Sequence, residues 1–417
     1  MTFRRQSFAI LLFAGASSCL PVGAEVLDRP SGVKIGEHLT LRPYVSVSLT
    51  YDSNVNGSSR STHAKKDDFL WTVSPSLWIH YNAENWSLIL SGFYNYRQYF
   101  DSSHREYNQH NFGEDLRWNW SNSTGAEKGW SLILGESYQQ ITMADDLLME
   151  NGENYNGDSK QFQLSAALQR RFNERWHGDV NASYYWLKYD NDEDNRYAYY
   201  GWDRVLVGAE AGFAPSKWTD FLVSGSYQYY NQDNVSGSQY DGSSQGFSVQ
   251  AGLGSYMTER ISYRLLAGWS RFEYADGESA ANGFVYTASG NWKIGETWNT
   301  MLLATSYYQP SERQYASQSR VDAVSWGIAK VMVRGKLRAT FDIRYRHETN
   351  ESVVDSGYDY SLNIWTGRLG VDYTLCRFLS LFAYGEYQNS MNDESSRNAG
   401  AYDYDRWRIT AGFRVQY

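Results

Sequence analysis

From Leu39 to the C-terminus, apolar and polar residues alternate with period two over segments of about 11 to 15 residues, far longer than the usual strand of about 5 or 6. Val45, Val47, Leu49 and Tyr51 make one face of the first segment, with Ser46, Ser48 and Thr50 on the other. Trp86, Leu88, Leu90, Tyr94 and Tyr96 oppose Ser87, Ser91, Asn95 and Arg97. Leu337, Ala339, Phe341, Ile343 and Tyr345 oppose Arg338, Thr340, Asp342, Arg344 and Arg346, and the chain closes with Trp407, Ile409, Ala411, Phe413, Val415 and Tyr417 against Arg408, Thr410 and Arg414. The pattern predicts long strands with one face for apolar surroundings and one for water.

The connections between segments alternate in length. Short turns fall near 82–85, 121–128, 173–175, 214–217, 257–260, 294–297, 334–336 and 375–377, with longer polar stretches between them. Eight turns and nine loops make 17 connections and hence about 18 strands. Short turns on one side and long loops on the other are the signature of a closed antiparallel transmembrane β-barrel, with periplasmic turns and extracellular loops, over residues 39–417. Large apolar or aromatic residues recur beside the short turns: Trp86, Trp130, Trp176, Trp218, Trp298, Phe378 and the terminal Tyr417. Such a ring predicts a periplasmic girdle at the membrane–water boundary.

Composition agrees and excludes other classes. The chain has 417 residues with 16 Trp, 35 Tyr and 18 Phe, yet only 42% is hydrophobic and the mean hydropathy is −0.60. A helical membrane protein needs runs of about 20 apolar residues, and the one stretch approaching that is at the N-terminus. Residues 1–24, with Arg4 and Arg5, an apolar run from Phe8 to Ala16 and Val22-Gly23-Ala24 before Glu25, read as a secretory signal, followed by a short periplasmic segment at 25–38. Cys19 raises lipidation as an alternative, but Ala16 and Ser18 depart from the usual lipoprotein pattern. Losing Arg4 and Arg5 takes the net charge from −9 to −11, which disfavours nucleic acid as a partner. Cys376 is then the one remaining cysteine, so no intrachain disulfide and no thiolate cluster is expected, and no cofactor is indicated.

Leu41-Arg42-Pro43-Tyr44 followed by Tyr51-Asp52-Ser53-Asn54-Val55 resembles the opening of the β-barrel porin type 2 family, whose members begin with a Pro-bearing strand and a Tyr-Asp-x-Asn exit. The repeated Trp after short turns fits the same family along the whole mature chain. Phe413-x-Val415-x-Tyr417 is similar to the C-terminal signature by which outer-membrane barrels are recognised by their assembly machinery. The resemblance implies an outer-membrane protein of a Gram-negative-type bacterium, in contact with lipid and lipopolysaccharide. Some relatives accompany exopolysaccharide export, which implies export components as partners.

Taking each strand's phase from its apolar face assigns the lumen. Candidate pore-lining residues are Arg97, Arg117, Arg204, Arg264, Arg338, Asp342, Arg344, Arg346, Arg368, Asp372, Arg408 and Arg414, with Trp78, Tyr185 and Tyr384 as aromatic members. The same phase places Lys330, Asp115, Asp179, Glu210, Asp220, Glu386, Phe93, Tyr99, Tyr230 and Phe382 inside. A lipid-facing Arg at mid-bilayer costs roughly 2–4 kcal/mol, so charges belong in the lumen. There they either pair across strands to stiffen the wall or bias a pore toward anions. The aromatic residues either fill the lumen or offer platforms for sugar rings. Glu136 falls on the apolar face: either Gly135 marks a bulge that rotates the phase, or the carboxylate lies near the outer head groups.

Catalytic patterns are poor. Gly242-Ser243-Ser244-Gln245-Gly246 has the G-x-S-x-G form but sits between strands, where a nucleophile elbow needs a strand-to-helix turn. His104 and His110 beside Asp101 are the rim candidates for a hydrolase. Asp190, Asp192 and Asp194 repeat carboxylates as a calcium loop does, but Asn195 stands where Gly is usual and Gly201 where a bidentate Glu should be. The reading is a channel for small polar, saccharide or anionic solutes. The alternative is a structural or surface-interaction barrel acting through its extracellular loops, and a barrel hydrolase comes third.

Overall fold

A strand with one apolar and one polar row, and with unpaired main-chain groups at both edges, is satisfied fully when its sheet closes on itself. The protein is described by a computed structural model over residues 32–55, 67–101, 108–122, 129–142, 158–190, 201–216, 218–232, 243–255, 260–274, 280–310, 316–352, 360–392 and 403–417. Among the described residues there are nineteen strands and no helix. They are β1 (Val33–Ile35), β2 (Leu39–Asp52), β3 (Asp68–Asn82), β4 (Trp86–Tyr99), β5 (Gln109–Ser121), β6 (Gly129–Thr142), β7 (Asp158–Arg171), β8 (Trp176–Asp190), β9 (Trp202–Ser216) and β10 (Thr219–Gln232). There follow β11 (Ser244–Ser255), β12 (Ile261–Tyr274), β13 (Ala280–Ile294), β14 (Trp298–Pro310), β15 (Ala316–Met332), β16 (Leu337–Ser352), β17 (Tyr360–Cys376), β18 (Leu379–Asn392) and β19 (Tyr404–Gln416).

From β2 onward each strand pairs antiparallel with the next, and β19 returns to β2 from Arg408↔Asp52 to Gln416↔Tyr44, closing an 18-stranded ring. The expected barrel is therefore the observed one. Closure staggers the strands, so the start of β2 runs past the end of β19. The short strand β1 covers that overhang, with Val33 opposite Leu41 and Ile35 opposite Leu39, and is joined to β2 by a turn in which Gly36 takes φ of 66°. This strand falls in the segment expected to precede the barrel.

Polar contacts that skip strands identify the inner face, because side chains converge on the concave side of a closed sheet. His177 on β8 reaches Asp220 on β10 at 2.6 Å, Arg264 on β12 forms a bidentate pair with Glu210 on β9, and Arg414 on β19 meets Asp372 on β17 at 2.5 Å. The ladder registers carry this phase round the ring. The outward rows are apolar and exposed: Val223, Val249 and Trp269, for example, alternate with buried Leu222, Ser270 and Phe272. The girdle residues Trp86, Trp130, Trp176, Trp298 and Tyr417 lie outward at the short-turn end, with Trp218 and Phe378 in the turns themselves. Their rings meet in pairs, Tyr81 stacked with Trp86 at 4.9 Å, Trp176 tilted against Phe213 at 4.7 Å and Phe378 stacked with Tyr417 at 5.3 Å.

Three placements differ from expectation. Lys330 is on the outward face, its ammonium 4.3 Å from the Trp298 ring, where a cation at an aromatic belt can reach water. Glu136 is outward without a bulge: β6 keeps continuous register with β5 and β7, placing Glu136 between Leu116 and Leu164 halfway along the strand. Several loops are shorter than the polar stretches suggested, because β14 and β15 extend to Pro310 and back from Ala316, and β16 reaches Ser352.

The wall is also not uniformly zipped. The β13–β14 ladder ends at Thr287↔Thr305, although β13 continues to pair with β12, and β14 with β15, toward the loop end.

Candidate functional site

The inner face holds three clusters. The first covers β16–β19. Seven inward arginines, Arg338, Arg344, Arg346, Arg368, Arg406, Arg408 and Arg414, face four carboxylates, Asp342, Glu348, Asp372 and Glu386. Arg346 pairs with Glu348 at 2.8 Å, Arg344 with Asp342 at 3.6 Å and Arg408 with Glu386 at 3.6 Å. Phe382 and Tyr384 follow each other inward on β18 with rings 12° from parallel and 6.2 Å apart. Arg414 lies 4.4 Å over Phe382 and Arg368 lies 4.0 Å over Tyr384. Two aromatic faces and two guanidinium groups thus form one ladder along the wall, a combination that suits anions and sugar rings alike.

The second cluster is where β2 meets β19. Asp52 is fully buried and accepts from Arg406 Nε at 2.8 and 3.0 Å and from Arg408 Nε at 3.3 Å. Asn54 Nδ2 donates to the Asp405 carbonyl at 3.2 Å, and the Trp407 amide donates to Ser53 Oγ at 2.7 Å. The Tyr-Asp-Ser-Asn exit of the first barrel strand is therefore a clasp on the last one.

The third cluster fills the loop end of β8–β14 with buried aromatics: Tyr185, Trp202, Tyr230, Phe272 and Tyr308, with Val285 beneath them. Arg204 is buried among them, 5.7 Å from Tyr185, 5.8 Å from Trp202 and 5.9 Å from Tyr230. Toward the turn end of the same strands, Glu210, Arg264, His177 and Asp220 form the polar group already described.

The chain matches the family described as "Putative beta-barrel porin 2" over residues 29–417. It belongs to that family. No curated protein matches it. Among solved structures it is similar to the siderophore receptor PirA of Pseudomonas aeruginosa, with 9% identity and a TM-score of 0.43 over 90% of this chain and 80% of the other. The iron transporter FrpB of Neisseria meningitidis gives 9% and 0.46 over 94% and 83%. The receptor Fiu of Escherichia coli gives 8% and 0.42 over 92% and 82%.

All fifteen residues singled out as lumen candidates in this porin-family barrel face inward. Their surroundings differ. Trp78 is 42% exposed on the inner face, whereas Arg204, Tyr185 and Arg338 are buried. Arg97 donates to Gln109 at 2.9 Å and Arg117 to Asn119 at 3.0 Å. Sequence reasoning missed Arg406, Trp202, Phe272, Tyr308 and His177. Arg406 and Trp202 sit at strand ends next to long loops, where alternation has only just begun. Ser244 opens β11 facing inward. His110 faces outward, accepting or donating at 2.8 Å with the Tyr94 hydroxyl. His104, residues 191–200 with Asp192 and Asp194, the side chain of Asp190 and the leader with Cys19 lie outside the described residues.

Proposed function

We propose that this barrel is an outer-membrane channel, not an enzyme, whose lumen passes anionic and saccharide-type polar solutes. The observation that carries the reading is the Arg368–Tyr384 and Phe382–Arg414 ladder on the β17–β19 wall. The seven guanidinium groups there outnumber the four carboxylates of the same strands and Asp52 of β2 taken together, so the wall keeps positive potential after local pairing, and positive linings bias a pore toward anions. The paired aromatic faces add apolar platforms matching the C–H faces of sugars, and Trp78 on β3 is a separate exposed ring on the inner face. Eighteen-stranded barrels are wide enough for an aqueous passage. The export variant, in which a periplasmic polysaccharide machine feeds the barrel, uses the same ladder in the outward direction.

The test is conductance of the refolded full-length mature chain in a planar bilayer under a salt gradient, with neutral and anionic oligosaccharides added. The reading expects anion-preferring current interrupted by the sugars. Arg368→Ala with Arg414→Ala should move the reversal potential toward zero. Cation preference in the unaltered protein, or unchanged selectivity in the double variant, overturns it.

A further inference from the structure

The observation that goes furthest beyond a fixed pore is the unzipped β13–β14 seam. Strand alternation places Trp298, Leu302, Ala304, Ser306 and Tyr308 on one face of β14, the outward one, as the exposed Leu302 confirms. Above Thr305, however, Ser306 and Tyr308 are buried, at 3% and 8% exposure. Tyr308 packs with the inward residues Tyr230, Phe272 and Val285, and its carbonyl accepts from Gln228 Nε2 of β10 at 3.5 Å. Gly283 faces inward on β13, and a Cβ built there would stand 2.5 Å from the Tyr308 hydroxyl, so the ring lies across the inner side of β13. The outer face of upper β14 is thus laid against the inner wall of β10–β13: this part of β14 has moved inside β13 into the mouth, while β15 stays paired with β16 as far as Ala316↔Ser352.

The vacated position still exists. Continuing the β13–β14 register beyond Thr287↔Thr305 would set Tyr286 opposite Ser306 and Phe284 opposite Tyr308. Ser306 and Tyr308 would then face outward beside Tyr286 and Phe284, as their alternation with Leu302 and Ala304 requires. Unpaired strand edges leave main-chain donors and acceptors without ladder partners, which favours re-zipping. The folded-in arrangement also leaves Ser306 Oγ buried with no partner among the described residues. Against this, it buries an aromatic cluster, and Arg320, the ladder partner of Tyr308 on β15, also reaches the inner side of β13, with Nη1 3.9 Å from a Cβ built on Gly283. Two packings of upper β14 compete, each satisfying what the other leaves open.

We propose that upper β14, Ser306 to Gln309, with the part of β15 paired to it, is a gate: folded in, it narrows the mouth and leaves the upper β13–β14 ladder open, and zipped to β13 it restores the wall and clears the mouth. This rests on the channel reading for its consequence but not for its geometry. The test is Phe284→Cys with Tyr308→Cys in a Cys376→Ser background, using the full mature chain in phospholipid vesicles and planar bilayers. Expected are formation of the 284–308 disulfide in the folded barrel under mild oxidation and at least about a threefold rise in conductance, reversed by reductant. Gly283→Val, which crowds Tyr308, should raise conductance without any crosslink. Failure of the disulfide to form in barrels that are folded by heat-modifiable gel mobility overturns the gate. So does a formed disulfide with unchanged current in a conducting barrel. A disulfide that forms in a barrel silent in both redox states upholds the two-position strand and overturns the channel reading instead.

Discussion

The clasp at the β2–β19 seam makes a quantitative prediction about stability. Asp52 is 0% exposed and the Arg406 side chain 6%, so the pair is shielded from the solvent that makes surface ion pairs weak. Replacing Asp52 by Asn preserves shape while leaving the Arg406 and Arg408 guanidinium groups facing a neutral amide that can accept at one oxygen. Removing one partner of a buried pair costs about 3–5 kcal/mol, and water at the loop end argues for the lower figure. A loss of about 3 kcal/mol is roughly a hundredfold in the folding equilibrium, because each 1.4 kcal/mol is a factor of ten. The measurement is reversible urea unfolding of the mature chain in lipid vesicles, followed by tryptophan fluorescence, for Asp52→Asn, Arg406→Gln and the double variant. Direct coupling requires the double variant to be less destabilised than the sum of the single ones by at least about 1 kcal/mol. An additive cycle would show that the seam is held by its backbone ladder and the Thr50–Thr410 hydrogen bond at 2.8 Å, and that the clasp is incidental.

Other expectations are simpler. Glu136→Leu replaces a carboxylate set among outward leucines and should stabilise the barrel by about 1–2 kcal/mol in vesicle unfolding; a loss of stability would show the carboxylate engaged with a partner. Trp298→Ala removes a girdle ring and the support of Lys330, and should destabilise by about 1–2 kcal/mol, read in the same way; no change would take that ring away from the interface. Tyr384→Ala should weaken sugar block several-fold while leaving anion preference nearly intact, since Arg368 remains; equal loss of both would make the ring a support for the guanidinium instead of a platform.

The barrel was legible because its rule is local. Period two fixes the face of each residue within a strand, and closure then assigns one face to the lumen for every strand at once, so Arg97 and Arg414 could be placed with no knowledge of their neighbours. The rule weakens where a strand carries no contrast. Around Lys330 the run Gly327-Ile328-Ala329-Lys330-Val331 is small or apolar on both faces, leaving the charge as the only cue, and a cation close to the interface can point outward. At Glu136 the local rule was sound: β6 keeps its register, so the bulge at Gly135 is ruled out and the carboxylate stays outward. Toward the loop end, Arg271 and Glu273 pair outward at 2.5 Å while Phe272 turns inward, a reversal of the usual assignment where the wall rises past its apolar band.

What sits opposite what is a different kind of information. Arg264 and Glu210 are 54 residues apart and separated by two intervening strands, and nothing in either segment announces the other. Their meeting depends on curvature, tilt and stagger together. The Tyr-Asp-Ser-Asn exit shows the same limit from the other side: its residues could be recognised as a motif, but their work on Arg406, Asp405 and Trp407 appears only once the first strand lies beside the last. Strand β14 adds a third case. Its alternation describes a strand lying in the wall, and the structure places its upper part in the mouth. A local pattern that fits one position and a tertiary arrangement that fits another are what a segment with two stable positions would show, and the 284–308 crosslink distinguishes that from a pattern simply overridden by packing.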